Sequence, residues 1–399
     1  MAAVGRRQTG RISGIYLTSS LLLFAFCLCA APCSMAQAGK ASVDFYTWLA
    51  SEQGKKASLA QMRQQCDDVS DAGKNLDCSV SVFARMFEAK AANQIPDYYL
   101  AIKRRHAKTI AKDPELNALF SMFGNESIAA LRSVGDFSVT RSRHREELAI
   151  HPYPRDGDVT DEVFPYIDVS AANGASSRFI VDTGAPQTRV NIDTAKRMGI
   201  TLLGDSHYGY STFYGEHGLS AKLGIFKSLK IGGSEFRNVL VFVSDRDNLL
   251  GLDLIGKLGR LKVTKKTLVL NAEPPERCDS HITYERMDIN QWLTIAARLD
   301  RKATLAIIDT GNVDYLTSAA PGNQPISVVN NPLYQTYRGE LSLSGHTRLI
   351  TYKFYPDFTI PPSMLRGKYV PSILFGWRAF DDYELNLDLD ADRSCFNRI

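Results

Sequence analysis

Phe179-Ile180-Val181-Asp182-Thr183-Gly184-Ala185 and Leu305-Ala306-Ile307-Ile308-Asp309-Thr310-Gly311-Asn312 decide how this chain is read. Each is an apolar run that ends in Asp-Thr-Gly. One such tripeptide is a weak signal, because its residues are common. Two copies in matched settings are a much stronger one. The match continues downstream. Asp182 is followed by Leu249-Leu250-Gly251, and Asp309 by Ile373-Leu374-Phe375-Gly376, with nearly equal separations along the chain. The same features in the same order at nearly the same spacing mark an internal duplication.

Paired aspartates suit acid–base chemistry. One carboxyl can protonate a substrate carbonyl while the other activates water. Two carboxylates held close resist joint ionisation and share a proton, so they titrate as a pair. Gly184 and Gly311 permit a close backbone approach that a side chain would hinder.

On these residues the chain resembles the pepsin and retropepsin superfamily of aspartic peptidases, over about residues 160–399. The resemblance implies a mainly β, bilobal fold of two duplicated β lobes, 160–273 and 280–399. Each lobe would carry Asp-Thr-Gly on a loop, with the apolar-apolar-Gly strand crossing behind it. Asp182 and Asp309 become the catalytic dyad. Thr183 and Thr310 lock the two loops together, and Gly184 and Gly311 support them. The implied reaction is peptide hydrolysis with no metal or organic cofactor. Its substrate is a peptide or protein segment bound extended, like an added strand. Short lobes and Asp-Thr-Gly-Ala look retropepsin-like. Residues 211–218 fall where the family has a hairpin flap, and Tyr214-Gly215 is similar to the flap Tyr-Gly of pepsin-like members. An ordinary glycine-containing hairpin, with His217 on the surface, is the other reading. The pattern departs after each motif. Pepsin-like sites place Ser or Thr there, whereas this chain has Ala185 and Asn312. The Asn312 amide can donate to a carboxylate or crowd the dyad. Loss of a hydroxyl donor suggests a working pH less acidic than that of gastric-type enzymes.

Residues 1–38 read as a secretory signal. Arg6, Arg7 and Arg11 precede an apolar stretch, and Ala36-Gln37-Ala38 is a small-x-small cleavage pattern. Cleavage before Gly39 is expected, an uncleaved anchor being the alternative. Seven cysteines become four, Cys66, Cys78, Cys278 and Cys395. Four allow three pairings. Cys66–Cys78, close together in a helical segment, is favoured, which leaves Cys278–Cys395. An oxidising compartment, periplasmic or secreted, fits both. No cysteine or histidine spacing suggests a metal site. The net charge of +4 drops to about +1 without the three signal arginines, too small a field to attract nucleic acid. No later apolar run is long enough for a membrane span. Two lobes in one chain would complete a dyad without a second copy, so a monomer is expected.

Residues 39–150 read as an α-helical domain or prosegment. Phe83, Met86 and Phe87 fall at helical spacing. Asp113-Pro114 reads as a cap and first position of a helix that Gly124 would end. The basic runs Ile102–Lys108 and Arg141–Arg145 admit a zymogen-like segment covering the aspartates. A permanent helical domain with a solvated basic face is the plainer reading. Residues 141–160, rich in basic and turn residues, read as the linker to the β lobes. Two other functional readings stand beside the peptidase. One is a peptide-binding protein whose dyad is disabled by Asn312. The other, a pair of glycosidase carboxylates, accords poorly with two matched Asp-Thr-Gly settings.

Overall fold

The duplication in sequence is a duplication of strand pairing. Strand Ser176–Val181 runs parallel to Leu249–Leu250, with Ile180 opposite Leu249 and Val181 opposite Leu250. Strand Lys302–Ile308 runs parallel to Pro371–Phe375, with Ile307 opposite Leu374 and Ile308 opposite Phe375. Strands covered on both faces read as continuous apolar runs rather than alternating ones, which is why both stand out in the sequence. The next element repeats too. Arg189–Asn191 lies antiparallel to Leu249–Leu250 and parallel to Ser234–Ser244. Leu316–Ser318 lies antiparallel to Pro371–Phe375 and parallel to His346–Phe354.

This computed structural model describes residues 44–399, apart from 155–162, 211, 214–215, 217, 288–289, 327–332 and 359–370. The signal expected at 1–38 lies outside them. Strands dominate the described residues. A nine-stranded sheet carries the first Asp-Thr-Gly and an eight-stranded sheet the second. A six-stranded sheet joins the lobes, with Leu261–Val263 of the first beside Tyr383–Leu387 of the second and Leu261 opposite Leu387. The chain is thus mainly β and bilobal. The disulfide Cys278–Cys395 lies at one edge of the joining sheet, where Ser280–His281 pairs with Cys395–Arg398.

The other edge of that sheet corrects the sequence reading. Residues 141–160, expected as a linker, contain the strands Glu146–Ala149 and His151–Pro154. Ser138–Thr140, near the end of the expected helical stretch, is a strand as well. Glu146–Ala149 pairs with Thr267–Leu270, placing Leu148 opposite Leu268. Among the described residues His151–Pro154 pairs only with Val163–Ala171. An edge position tolerates the missing N–H groups of Pro152 and Pro154, so turn-like composition concealed strands.

Residues 45–132 are helical. Ala72–Glu88 buries Leu76, Val82, Phe83, Met86 and Phe87, and Cys66–Cys78 ties it to Leu59–Asp67. Asp113 caps Pro114–Leu119, accepting from the amides of Glu115 and Leu116 at 2.9 and 3.1 Å. Gly124 does not end that helix. It precedes the next one, Asn125–Arg132, whose N-terminal amides are capped from the first lobe. The Asp205 carboxylate accepts from Glu126 and Ser127 N–H at 3.0 and 2.8 Å. A Cβ on Gly124 would overlap Asp205 Oδ2, so glycine is what admits the cap.

The helices share a core with the first lobe. Phe87 stacks on Phe123 and on Phe242 of strand Ser234–Ser244, with centroids 6.5 and 6.3 Å apart. Leu203, Leu223 and Leu240 of the same sheet join this cluster. Phe87→Ala is therefore expected to cost about 3–5 kcal/mol in denaturant unfolding. Helical signal and the signal of the first lobe's sheet should still be lost together, because Leu203, Leu223, Leu240 and Phe242 share the helices' core.

Candidate active site

The apolar strands bring Asp182 and Asp309 together. Each aspartate amide continues the parallel pairing behind its loop: Asp182 N–H donates to Leu250 O at 3.0 Å and Asp309 N–H to Phe375 O at 2.8 Å. The glycine after each crossing strand lies against the loop in front. A Cβ on Gly251 would meet the Gln187 backbone at 2.6 Å, and one on Gly376 would overlap Asp314 O.

Thr183 and Thr310 join the loops reciprocally. Thr183 N–H donates to Thr310 Oγ1 and Thr310 N–H to Thr183 Oγ1, each at 3.0 Å. Each hydroxyl then donates onward across the lobes: Thr183 Oγ1 to Ile308 O at 2.7 Å, and Thr310 Oγ1 to Val181 O at 2.5 Å. Both threonines are fully buried. The bonds replace water completely, and losing one leaves buried partners unsatisfied.

Gly184 and Gly311 let each loop approach the opposite carboxylate. A Cβ on Gly184 would overlap Asp309 Cγ, and one on Gly311 would overlap Asp182 Cγ. The Gly184 and Ala185 N–H groups donate to Asp182 Oδ1 at 3.0 and 2.9 Å, and Gly311 N–H to Asp309 Oδ1 at 3.0 Å. Burial raises the pKa of both carboxyls. Asp309 is raised well above the usual range, by burial and then by the Asp182 charge. Against its burial, Asp182 has the Arg189 guanidinium and the loop amides, which favour its ionised form. The two carboxyls therefore hold a proton between them and titrate as a pair.

The Asn312 side chain donates to neither aspartate carboxylate, and only the residue's backbone N–H acts on Asp309, favouring the ionised form. Its Nδ2 donates to Thr317 Oγ1 at 3.1 Å, and its Oδ1 accepts from Asp314 N–H at 3.0 Å. Its carbonyl accepts from Trp377 N–H at 2.6 Å, fastening the second loop to the strand crossing behind it. In the first lobe the same bond runs from Leu252 N–H to Ala185 O at 2.9 Å, and Thr188 adds a second tie: its N–H donates to Asp253 Oδ1 at 2.9 Å and its hydroxyl to the same oxygen at 2.7 Å. The sequence alone does not single out Thr188, Arg189 or Asp253. The two Gly-containing crossings continue differently, as Gly251-Leu252-Asp253 and Gly376-Trp377-Arg378, so comparing the repeats does not flag Asp253.

Tyr214, Gly215 and His217 lie outside the described residues. Their neighbours form the base of a hairpin between the antiparallel strands Thr201–Tyr210 and Leu219–Ile231. Thr212 N–H donates to Glu216 O at 3.0 Å, and Glu216 pairs with Arg246. From this hairpin Phe213 stacks on Phe358 at 5.9 Å, against Trp292, Ile307 and Leu374 of the second lobe. The basic runs do not reach the dyad in any described contact. Arg105 pairs with Asp67, Arg141 with Asp390 and Arg145 with Glu147. Among the described residues Cys278, His281 and Cys395 stand close enough to hold a metal ion, but their sulfurs are joined to each other.

Loop locking and dyad titration can each be measured through stability. Thr183→Val leaves the Thr310 N–H and the Ile308 carbonyl without partners and should destabilise the fold by about 2–4 kcal/mol in denaturant unfolding. Both aspartates have raised pKa values, so the folded state binds protons more tightly than the unfolded chain. The contribution to stability is full below the unfolded carboxylate range and is lost as pH rises through the folded values. Asp309→Asn should therefore melt above the wild type at neutral pH, with the gap closing towards about pH 4.

Residues 169–257, which include the first Asp-Thr-Gly and its crossing strand, match the family model described as gag-polyprotein putative aspartyl protease. The chain has no significant match among curated proteins. Among solved structures it is similar to an aspartic proteinase from Irpex lacteus, with TM-score 0.42 and 12% identity, covering 64% of this chain and 97% of that one. It is also similar to basic 7S globulin from soybean, with TM-score 0.39 and 10% identity, covering 63% and 94%. The family match thus falls on a retropepsin-like aspartyl-protease unit, and the chain is consistent with the pepsin and retropepsin superfamily.

Proposed function

We propose that this chain is an exported aspartic endopeptidase working through Asp182 and Asp309. The observation that carries the proposal is the placement of each Asp-Thr-Gly glycine against the opposite carboxylate, held by reciprocal threonine bonds. The ionised member of the pair takes a proton from the attacking water. The protonated member donates to the scissile carbonyl. The tetrahedral gem-diol then collapses as the leaving amine is protonated, and no covalent enzyme intermediate forms. The buried, fixed loop dipoles need no rearrangement as charge moves. An extended peptide bound beside the hairpin that carries Phe213 would meet the apolar surroundings of Phe358 and Trp292, which favour apolar side chains.

Export is supported by the N-terminal pattern and by both disulfides, Cys66–Cys78 and Cys278–Cys395. No helix among the described residues is long and apolar enough to cross a membrane. We place the protein in the periplasm or outside the cell. The rival reading, a peptide-binding protein disabled by Asn312, loses its motive because that side chain turns away from the aspartates.

The test is incubation of the chain from Gly39 with a mixed peptide library across about pH 3–8, beside Asp182→Asn. The wild type should cleave and the variant should lose at least about a thousandfold. Equal release by both would refute the dyad. The raised Asp309 moves the basic limb of the bell-shaped profile upward, so activity should persist at a pH where gastric-type enzymes fail. A midpoint of activity below about pH 3 would contradict that.

A further inference from the structure

Lys90 follows helix Ala72–Glu88 in a left-handed conformation, φ 58°, and is 1% exposed. Its ammonium forms an ion pair with Asp253. It also donates to Gln187 Oε1 at 3.1 Å and to Leu240 O at 2.8 Å. Three acceptors match the three protons of an ammonium group. All three acceptors belong to the first lobe, and two of them flank the Asp182 loop. Gln187 is part of that loop's continuation. Asp253 holds Thr188 by its N–H and hydroxyl. Gly251 N–H donates to Thr188 Oγ1 at 3.1 Å and Leu252 N–H to Ala185 O at 2.9 Å. Ala185 and Gly184 in turn hold Asp182 Oδ1.

The second loop shows what the first lacks. Its neighbouring buried carboxylate, Asp314, is neutralised from within its own lobe by Lys353 at 2.7 Å. Asp253 receives its cation from the helical segment. Just before Lys90, Glu88 pairs with Arg286 of the second lobe at 3.3 Å. One turn of chain therefore engages both lobes.

We propose that Lys90 is a positioning residue for the first Asp-Thr-Gly loop, and that the helical segment is a permanent part of the catalytic unit rather than a removable prosegment. The catalytic half of this proposal rests on the peptidase reading. Release of the helices would leave Asp253 buried without its cation, a strongly unfavourable state. It would also bare the sheet face around Leu240 and Phe242.

The experiment compares the chain from Gly39 with Lys90→Met and with Lys90→Met/Asp253→Asn. The double variant removes the ion pair without stranding a buried charge, so it keeps the test interpretable if the single variant fails to fold. In the folded double variant, backbone amides at 184–188 and 251–253 should exchange about tenfold faster or more. Its kcat per folded molecule, with the folded fraction fixed by near-UV circular dichroism, should fall about tenfold or more with KM within about twofold. Wild-type exchange and wild-type kcat in the double variant would overturn the proposal. So would full activity in a chain cut between Arg132 and Ser138 and stripped of its helices. If the wild type cleaves no peptide, hydrogen exchange alone decides the role of Lys90, and only the peptidase reading falls.

Discussion

The crossed bonds between Thr183 and Thr310 are the constraint on which the site depends. Each threonine uses its amide and its hydroxyl toward the opposite lobe, so neither loop can shift without breaking bonds in both. Because the threonines are buried, water cannot substitute for a broken bond. The glycines then have a defined task. They allow the loops to come close enough that each carboxylate lies over the other loop's backbone. The raised pKa of the pair follows from the same closeness and burial.

What can be read in the sequence and what cannot divide along physical lines. The two apolar strands, their Asp-Thr-Gly ends and the crossing strands are legible, because burial on both faces leaves a contiguous record in the chain. The cap at Asp113 is legible because it acts on the nearby amides of Glu115 and Leu116. Strands Glu146–Ala149 and His151–Pro154 are not. Their prolines and charges reflect edge positions, and composition alone does not separate an edge from a turn. Gly124 reads as a helix stop because the reason for it, the Asp205 carboxylate, lies far along the chain. Arg189 and Lys90 are invisible on the same ground. Their partners converge only after folding, and neither residue belongs to a periodic pattern.

The helical segment is an integral part of the first lobe by two separate criteria. Its aromatic residues complete the hydrophobic cover of one sheet face. Its polar contacts, through Asp205, Glu88 and Lys90, are specific, and the Lys90–Asp253 ion pair is fully buried. The joining sheet adds a third tie, since Glu146–Ala149 pairs with the first lobe's Thr267–Leu270 within the sheet that carries strands of both lobes.

The repeated parallel pairing carries a hazard for the nascent chain. Leu249–Leu250 and Pro371–Phe375 are both apolar, both end before a glycine, and both seek a strand that precedes Asp-Thr-Gly. Each correct partner lies far away along the chain, and pairing over such separations forms late. A crossed assembly, one lobe's crossing strand seated behind the other's loop, is therefore a natural kinetic trap of this duplicated architecture. The lobes carry a discriminating mark. Pairing in the second includes a register shift between Leu305 and Ala306, while the short pairing in the first has no room for one.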